Sequence, residues 1–555
     1  MQDSPYAFPT DLHRMVISLR TKKDDAARVE LVYESKYKIA EKQNTVTMKK
    51  SRFSKLFDWY EVTFDLKDTR LAYVFKVYDF DGSYVYFSED GPTDSYDFSL
   101  GFYNFFQYPY INEADIVRPV KWMEKAVFYQ IFPDRFCMGD DKKDSSYINM
   151  KWGARPTPKS FAGGDIKGIT KKIGYLKELG INAIYLTPVF KSKSNHKYDI
   201  SDFYEIDPMF GTKEDLHALV TAAHENNMKI VLDAVFNHIS EDSKEFKDVL
   251  EKGRASKYFD WFIINGDKPV KKPLNYECFA SCEYMPKLNT SNPSVQDFLT
   301  GVALYYIKEF DIDGWRLDVS DEISDDYWRK FRIAVKSAKS DAVIIGENWH
   351  DAYRNLRGDQ YDGIMNYAFT KAMLDYFAFD TEDAYGTACK LNELIMRNKD
   401  GINRMMLNLL DSHDTHRFFT QIKENRRAMK EALAILFFYP GAPCIFYGTE
   451  ILTSGGYDPD CRKCMDWEKT DENGEYKDIY KLIRKLSDLR RNSDLSTGKY
   501  GFTAENDMLI INSVTENHTY TLIVNHTENA GKFYDTEIGP ESFVIFKDRE
   551  RYVYE

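Results

Sequence analysis

Long uninterrupted apolar runs are missing from this chain. Its most apolar stretch, residues 432–447, is broken by Pro440, Gly441 and Pro443. It reads as a buried helix, a turn and a buried strand, because a membrane span needs about 20 apolar residues in a row. An excess of basic residues is missing too. The net charge of -13 argues against nucleic acid or an anionic membrane as partner and leaves neutral substrates open. Cysteine is scarce: seven residues, an odd number scattered over a long chain, make no disulfide framework. The opening Met1-Gln2-Asp3-Ser4-Pro5 has no basic region followed by an apolar core, so no export signal is expected. The thiols are then expected to be reduced, in a cytoplasm. Without export, the Asn-x-Thr triplets at Asn517 and Asn525 are chance matches.

What is present points to a large globular protein. At 555 residues, 43% of them hydrophobic, the chain should divide into several domains. Aromatic residues make up 15%, and besides filling cores they supply flat surfaces on which sugar rings can stack. Residues 1–119 are β-rich. Leu71-Ala72-Tyr73-Val74-Phe75-Lys76-Val77-Tyr78 and Tyr84-Val85-Tyr86-Phe87 flank an Asp81-Gly82 turn, as in a hairpin of a β-sandwich. Such a sandwich can bind polymer, bridge a dimer or simply pack.

From residue 120 the pattern changes to apolar strands alternating with amphipathic helices. Ile169, Ile173, Leu176 and Leu179 fall on one helical face that Gly180 ends. Thr212 and Asp215 have capping-box spacing ahead of Leu216, Leu219, Val220 and Ala223. Eight strand candidates begin near residues 126, 184, 229, 314, 343, 363, 405 and 443. This is an α/β pattern, a (β/α)8 TIM barrel over residues 120–492. Residues 239–292 are too long for a loop and read as a small domain inserted after the third strand. Strand patterns in residues 493–555 read as a C-terminal β domain.

Active sites of such barrels lie at the C-terminal ends of the strands. The third strand here runs into Asp233 and then Asn237-His238, the fourth into Arg316-Leu317-Asp318, and the fifth into Glu347. After the seventh comes Asp411-Ser412-His413-Asp414. Arg316 and Asp318 are two apart and share a strand face, so the guanidinium should hold the carboxylate ionised. On that stretch alone, a structural ion pair and a nucleophile are both open. Acids at several neighbouring strand ends favour catalysis, because glycoside hydrolysis needs one ionised and one protonated carboxyl flanking a bond. Asp318 suits the nucleophile, Glu347 among other acids the proton donor, and Asp414 a grip on sugar hydroxyls. His238 and His413 can donate hydrogen bonds to the same ring.

These segments, with Gln130-Ile131-Phe132-Pro133-Asp134-Arg135-Phe136 and Gly448-Thr449-Glu450, resemble the α-amylase superfamily, glycoside hydrolase family 13, across nearly the whole chain. The resemblance assigns Arg316, Asp318, Glu347 and Asp414 to the family's arginine, nucleophile, acid and stabiliser. Met285-Pro286-Lys287-Leu288-Asn289, Trp349-His350-Asp351-Ala352, Leu356-Arg357-Gly358-Asp359-Gln360 and Asp458-Pro459-Asp460-Cys461-Arg462 resemble neopullulanases, cyclomaltodextrinases and maltogenic amylases. That likeness implies an N-terminal domain helping to form a homodimer. It also implies cleavage of α-1,4 and α-1,6 bonds in maltodextrins, cyclomaltodextrins, pullulan or starch. Asp458, Arg462, His196, Tyr198 and Trp349 would contact the substrate. The alternatives are an oligo-α-1,6-glucosidase and a non-catalytic amylase-like glycan-binding protein.

Two departures stand out. The subgroup's Val-Ala-Asn-Glu is Val319-Ser320-Asp321-Glu322 here, and the extra acid Asp321 bears on linkage preference or on hydrolysis against transfer. The subgroup's calcium loop falls on Asp140, Asp144, Gly163 and Asp165, but Met138 and Lys143 stand where oxygen ligands belong. No cofactor is therefore expected, with Lys143 substituting for the metal. Cys461 and Cys464, with Cys278 and Cys282, would make a four-thiolate zinc site only if both regions met at one rim; reduced loop cysteines are the plainer expectation.

Overall fold

Eight short parallel strands form the centre of the computed structural model, which describes residues 3–554 apart from 101 and 472. Met1 and Gln2, part of the stretch read for an export signal, lie outside the described residues. The strands are β1 (Phe128–Ile131), β2 (Ala183–Leu186), β3 (Lys229–Ala234), β4 (Gly314–Leu317), β5 (Val343–Gly346), β6 (Gly363–Ile364), β7 (Leu407–Leu409) and β8 (Ala442–Phe446). Apart from β6 and β7, each pairs with its neighbour in parallel register, and β8 pairs back onto β1. A single parallel bridge, Met365 to Leu407, closes the barrel between β6 and β7. Every residue of these strands except Lys229, at the start of β3, is buried, which explains why they read as unbroken apolar runs rather than alternating ones.

The expected helix signals are present. Thr212 and Asp215 form a reciprocal capping box on helix Lys213–Glu225, whose buried face is Leu216, Leu219, Val220 and Ala223. The segment from Ile169 to Leu179 is two helices, Ile166–Lys171 and Ile173–Leu179, and Gly180 ends the second at φ 90°. At the start of β4, Gly314 leaves no room for a side chain: a Cβ would meet the Val343 carbonyl oxygen at 2.5 Å. Just before it, Asp313 accepts from the Ile230 amide (2.9 Å), Lys229, Lys339 and His224. Burial opposes its ionisation, yet these donors hold it well below the usual carboxylate range. Asp313 thus ties the N-terminal end of β4 to β3, and the opposite end is left for chemistry.

The N-terminal unit is antiparallel. Residue pairs along Asn44–Phe53 join Arg28–Glu34 on one side and Phe57–Asp65 on the other. Two layers therefore share that strand, around Met15, Ile17, Val29, Leu31, Tyr60 and Tyr73. After β3 the inserted segment holds a helix, Lys244–Lys252, and bridges such as His238 to Lys287 and Phe262 to Leu288. These bridges bring its chain back beside the end of β3. Five antiparallel strands between Lys499 and Tyr554 form the C-terminal sheet.

Candidate active site

The acids predicted at the strand ends converge on one guanidinium. Arg316, fully buried on β4, places Nη1 3.0 Å from Asp233 Oδ2 and 2.8 Å from Asp318 Oδ1. Its Nη2 lies 2.9 Å from Glu347 Oε1, an ion pair without hydrogen-bond alignment. Asp318 and Glu347 therefore reach the two ends of one fork, which makes them close neighbours. Glu347 Oε2 accepts the Val319 amide at 3.0 Å, and Oε1 accepts the Trp349 indole N–H at 3.2 Å. Val319 supplies that amide from φ 45°, a left-handed conformation strained for a β-branched side chain.

A hydrogen-bond relay continues from Asp233. Its Oδ2 accepts from the Tyr185 hydroxyl at 2.6 Å and the Tyr198 hydroxyl at 3.0 Å. The Tyr198 oxygen sits 2.6 Å from His413 Nε2, with the two rings parallel within 2°. Gln130 Nε2 lies 2.7 Å from His413 Nδ1. With that amide donating, Nδ1 accepts and the imidazole proton is on Nε2, an assignment made from the network. His413 Nε2 also lies 3.0 Å from Asp414 Oδ2. Arg462 reaches Asp414 Oδ1 at 3.3 Å and Asp458 at 2.8 Å, and its Nε donates to the His413 carbonyl. His196 accepts the Tyr198 amide on Nδ1.

Burial dominates the electrostatics. It drives His413 well below the ordinary histidine value, and it holds His238 at about 3 with help from the Lys287 charge. Both rings are neutral. His238 Nε2 is buried without a protein partner beside the cleft, and its ring stacks on Phe279 at 4.8 Å. Asp318 corrects the sequence expectation. Arg316 does pull its carboxyl down, but complete burial and the charges of Glu347, Asp233 and Asp414 raise it well above the usual range. Asp233 is likewise pushed up, to about 6, chiefly by burial. Asp233 and Asp318 share the one guanidinium nitrogen, so these two titrate as a pair.

The cleft over these groups holds about 540 Å³, within the range of small-molecule sites. Besides His196, Tyr198, His238, Asp318, Glu347, Trp349, Asp414, Asp458 and Arg462, it is lined by residues of the insertion: Phe279, Cys282, Tyr284 and Met285. Trp349, 47% exposed, stacks on Tyr367 at 3.7 Å. Asp321 and Glu322 line the same space, and Glu322 pairs with Lys287 at 3.0 Å. All the predicted catalytic and substrate-contact residues thus meet in one place.

The calcium and zinc candidates do not assemble. Asp140 faces Lys167 (2.6 Å) and Asp144 accepts the Ser146 amide, so the two do not converge. Asp165 caps helix Ile166–Lys171 and also accepts the Gly139 and Asp140 amides. The Lys143 ammonium lies among Gly163 O (2.6 Å), Met209 O (3.2 Å) and Asp165 Oδ2 (2.9 Å), while Met138 is exposed. A cation's oxygens are thus already held by a side-chain cation, and the residues present do not fit calcium. Cys461 is buried with Sγ 3.3 Å from the His413 carbonyl, and Cys464 packs apart with Met150 and Ala162. Among the described residues, no three His, Cys, Asp or Glu side chains are grouped to hold a metal.

Sequence reasoning assigned no role to Tyr185, Gln130, Val319 or Phe279. A polar Gln130 in the middle of a buried strand was a readable signal; a positive φ at valine was not.

With this constellation at the C-terminal rim of its parallel barrel, the chain belongs to the α-amylase family. Residues 130–531 match the model of the α-amylase catalytic domain, and residues 2–112 match its N-terminal Ig-like domain. The chain is therefore an α-amylase-family glycoside hydrolase with an N-terminal β-sandwich. Among its relatives is a cyclomaltodextrinase of Thermoanaerobacter pseudethanolicus, 45% identical over 90% of this chain and 86% of that one. Another is an intracellular maltogenic amylase of Bacillus subtilis, 41% identical over 87% of this chain and 82% of the relative. A solved cyclomaltodextrinase structure superposes with a TM-score of 0.89 at 36% identity, covering 96% and 91% of the two chains.

Proposed function

We propose that the chain is a retaining α-glucan hydrolase that cleaves α-1,4 bonds, and α-1,6 bonds as a secondary activity, in maltodextrins, cyclomaltodextrins, pullulan or starch. The observation that carries this reading is the single Arg316 fork joining Asp233, Asp318 and Glu347 at the rim of β3, β4 and β5. Retaining glycosidases need their two carboxyls only about 5–5.5 Å apart, and a shared guanidinium keeps these two adjacent.

In the first step a carboxylate oxygen of Asp318 bonds to the anomeric carbon as the glycosidic C–O bond breaks. Glu347 gives its proton to the departing oxygen, so the leaving sugar exits as an alcohol. Water then enters, Glu347 takes one of its protons, and the water oxygen displaces Asp318 from the anomeric carbon. Two displacements restore the starting configuration. Asp414, steadied by His413 and Arg462, holds hydroxyls of the reacting sugar. His238 donates from a neutral ring, whereas His413, with Nδ1 facing Gln130 and its one N–H taken by Tyr198 and Asp414, orients those groups instead of meeting the sugar. Tyr198 stacks on that sugar's apolar face, and His196, Asp458 and Arg462 bind on the glycone side. Trp349 lies beside the acid, where the leaving sugar departs.

The enzyme works without calcium, Lys143 standing in the metal's place. Seven unpaired cysteines and the intracellular relative support a cytoplasmic location. Among the described residues, no helix is long and apolar enough to cross a membrane. Exposed Phe80, Phe102 and Tyr103 on the N-terminal domain support a homodimer through that domain, which the mass in solution tests. Chromatography of products from γ-cyclodextrin, pullulan and soluble starch offered in parallel tests the function. Preference for the cyclic substrate is expected. Cleavage of isomaltose alone would mean an α-1,6-glucosidase, and binding without products a non-catalytic protein.

A further inference from the structure

The outer face of the C-terminal sheet is only half covered. Ile510, Ile523 and Val544 pair directly across three strands, and this row is buried under the hairpin Gly531–Phe533 and Thr536–Ile538. Two residues along each strand, on the same face, lie Asn512, Thr521 and Phe546, again directly paired. This second row borders a cleft of about 770 Å³ between the hairpin tip and the sheet, with Tyr534 on one side and Thr519 and Asp548 beyond.

Two features make this cleft more than spare volume. Tyr534 occupies a two-residue hairpin connection at φ 49°, a position that Asn, Asp or Gly fills with least strain. The strain presents a ring that is 75% exposed beside the cleft instead of packing it. The floor, in turn, carries short neutral polar groups held in place. Thr521 Oγ1 donates to Asn512 Oδ1 at 2.7 Å, which fixes the Asn512 amide with its nitrogen as the remaining donor. A flat exposed ring beside fixed hydroxyl and amide groups matches a pyranose, which has an apolar C–H face and a rim of hydroxyls.

We propose that this cleft is a second carbohydrate site, binding a segment of α-glucan chain remote from the reacting bond. Tyr534 stacks on one glucosyl ring while Asn512, Thr521 and Asp548 hold its hydroxyls. The choice of glucan as ligand rests on the catalytic reading above. The site performs no chemistry; it holds polymer near the enzyme.

Electrophoresis of the full-length protein through native gels containing amylopectin tests this. Tyr534→Ala and Thr521→Val are compared in a Glu347→Gln background, so that the gel polymer is not cut. Turnover of γ-cyclodextrin by the otherwise unchanged enzyme is measured in parallel. Tyr534→Ala should weaken retention about tenfold, the scale of one aromatic stacking contact. Thr521→Val, which keeps the side-chain shape, should weaken it about threefold, the scale of one hydrogen bond. Retention unchanged in both variants would overturn the proposal. So would a parent protein that is not retarded while γ-cyclodextrin is turned over, a result that leaves the catalytic reading standing. Absence of γ-cyclodextrin turnover would refute the catalytic reading, and the choice of ligand with it.

Discussion

Replacing Lys143 by methionine removes one positive charge and little volume, so the effect is electrostatic rather than a cavity. The ammonium lies 2.9 Å from Asp165, whose side chain is 1% exposed, and bonds the Gly163 and Met209 carbonyls. Breaking a buried ion pair costs roughly 3–5 kcal/mol. Asp165 keeps three backbone donors, from Gly139, Asp140 and Gly168, so the lower end, about 3 kcal/mol, applies. At about 2 °C per kcal/mol for a large domain, the melting temperature of Lys143→Met should fall by about 6 °C. Scanning calorimetry with and without a calcium chelator reads both halves of the argument. The parent should melt at the same temperature in either buffer. A parent destabilised by chelation, or a Lys143→Met protein as stable as the parent, would refute the view that the lysine replaces a metal.

Glu347→Gln should lower kcat on maltodextrins by about 10²–10⁴-fold, the usual worth of a general acid. Glucosyl fluoride, whose leaving group needs no proton, should be spared in the glycosylation step; equal losses on both substrates would reject Glu347 as the acid. Burial raises Asp318, and the nucleophile must be ionised, so the rate should fall with decreasing pH already above the ordinary aspartate value of about 3.9. A pH–rate profile of kcat/KM flat down to that value would contradict the reasoning. His238, held at about 3 mainly by burial, offers an unpartnered Nε2 beside the cleft. His238→Ala should cost about 10–100-fold in kcat/KM, one to two factors of ten at 1.4 kcal/mol each, and an unchanged value would remove it from the substrate contacts.

The barrel was legible because its strands are buried on both faces and its helices carry caps, so runs such as Lys229-Ile230-Val231-Leu232 stand out between turn signals. The shortest strand, Gly363–Ile364, was findable only by its place in the alternation. Acids after β3, β4 and β5 were readable because the barrel's topology sends strand ends to one rim. The upward push of burial on Asp233 and Asp318 was not. Two residues of spacing showed Arg316 beside Asp318, but only three dimensions add Asp233 and Glu347 to the same guanidinium. Tyr198 was named through the resemblance, but its link to His413 and Asp233, like the left-handed Val319, depends on contacts and backbone angles that no local pattern encodes.

The central claim is a covalent bond between glucose and Asp318. A fluorinated glucosyl fluoride, which slows release of the intermediate, should label the enzyme once, and peptide mass spectrometry should find the sugar on the peptide carrying Asp318. Loss of that label in Asp318→Asn would agree. Label on another carboxyl, or products released with inverted anomeric configuration, would contradict the account.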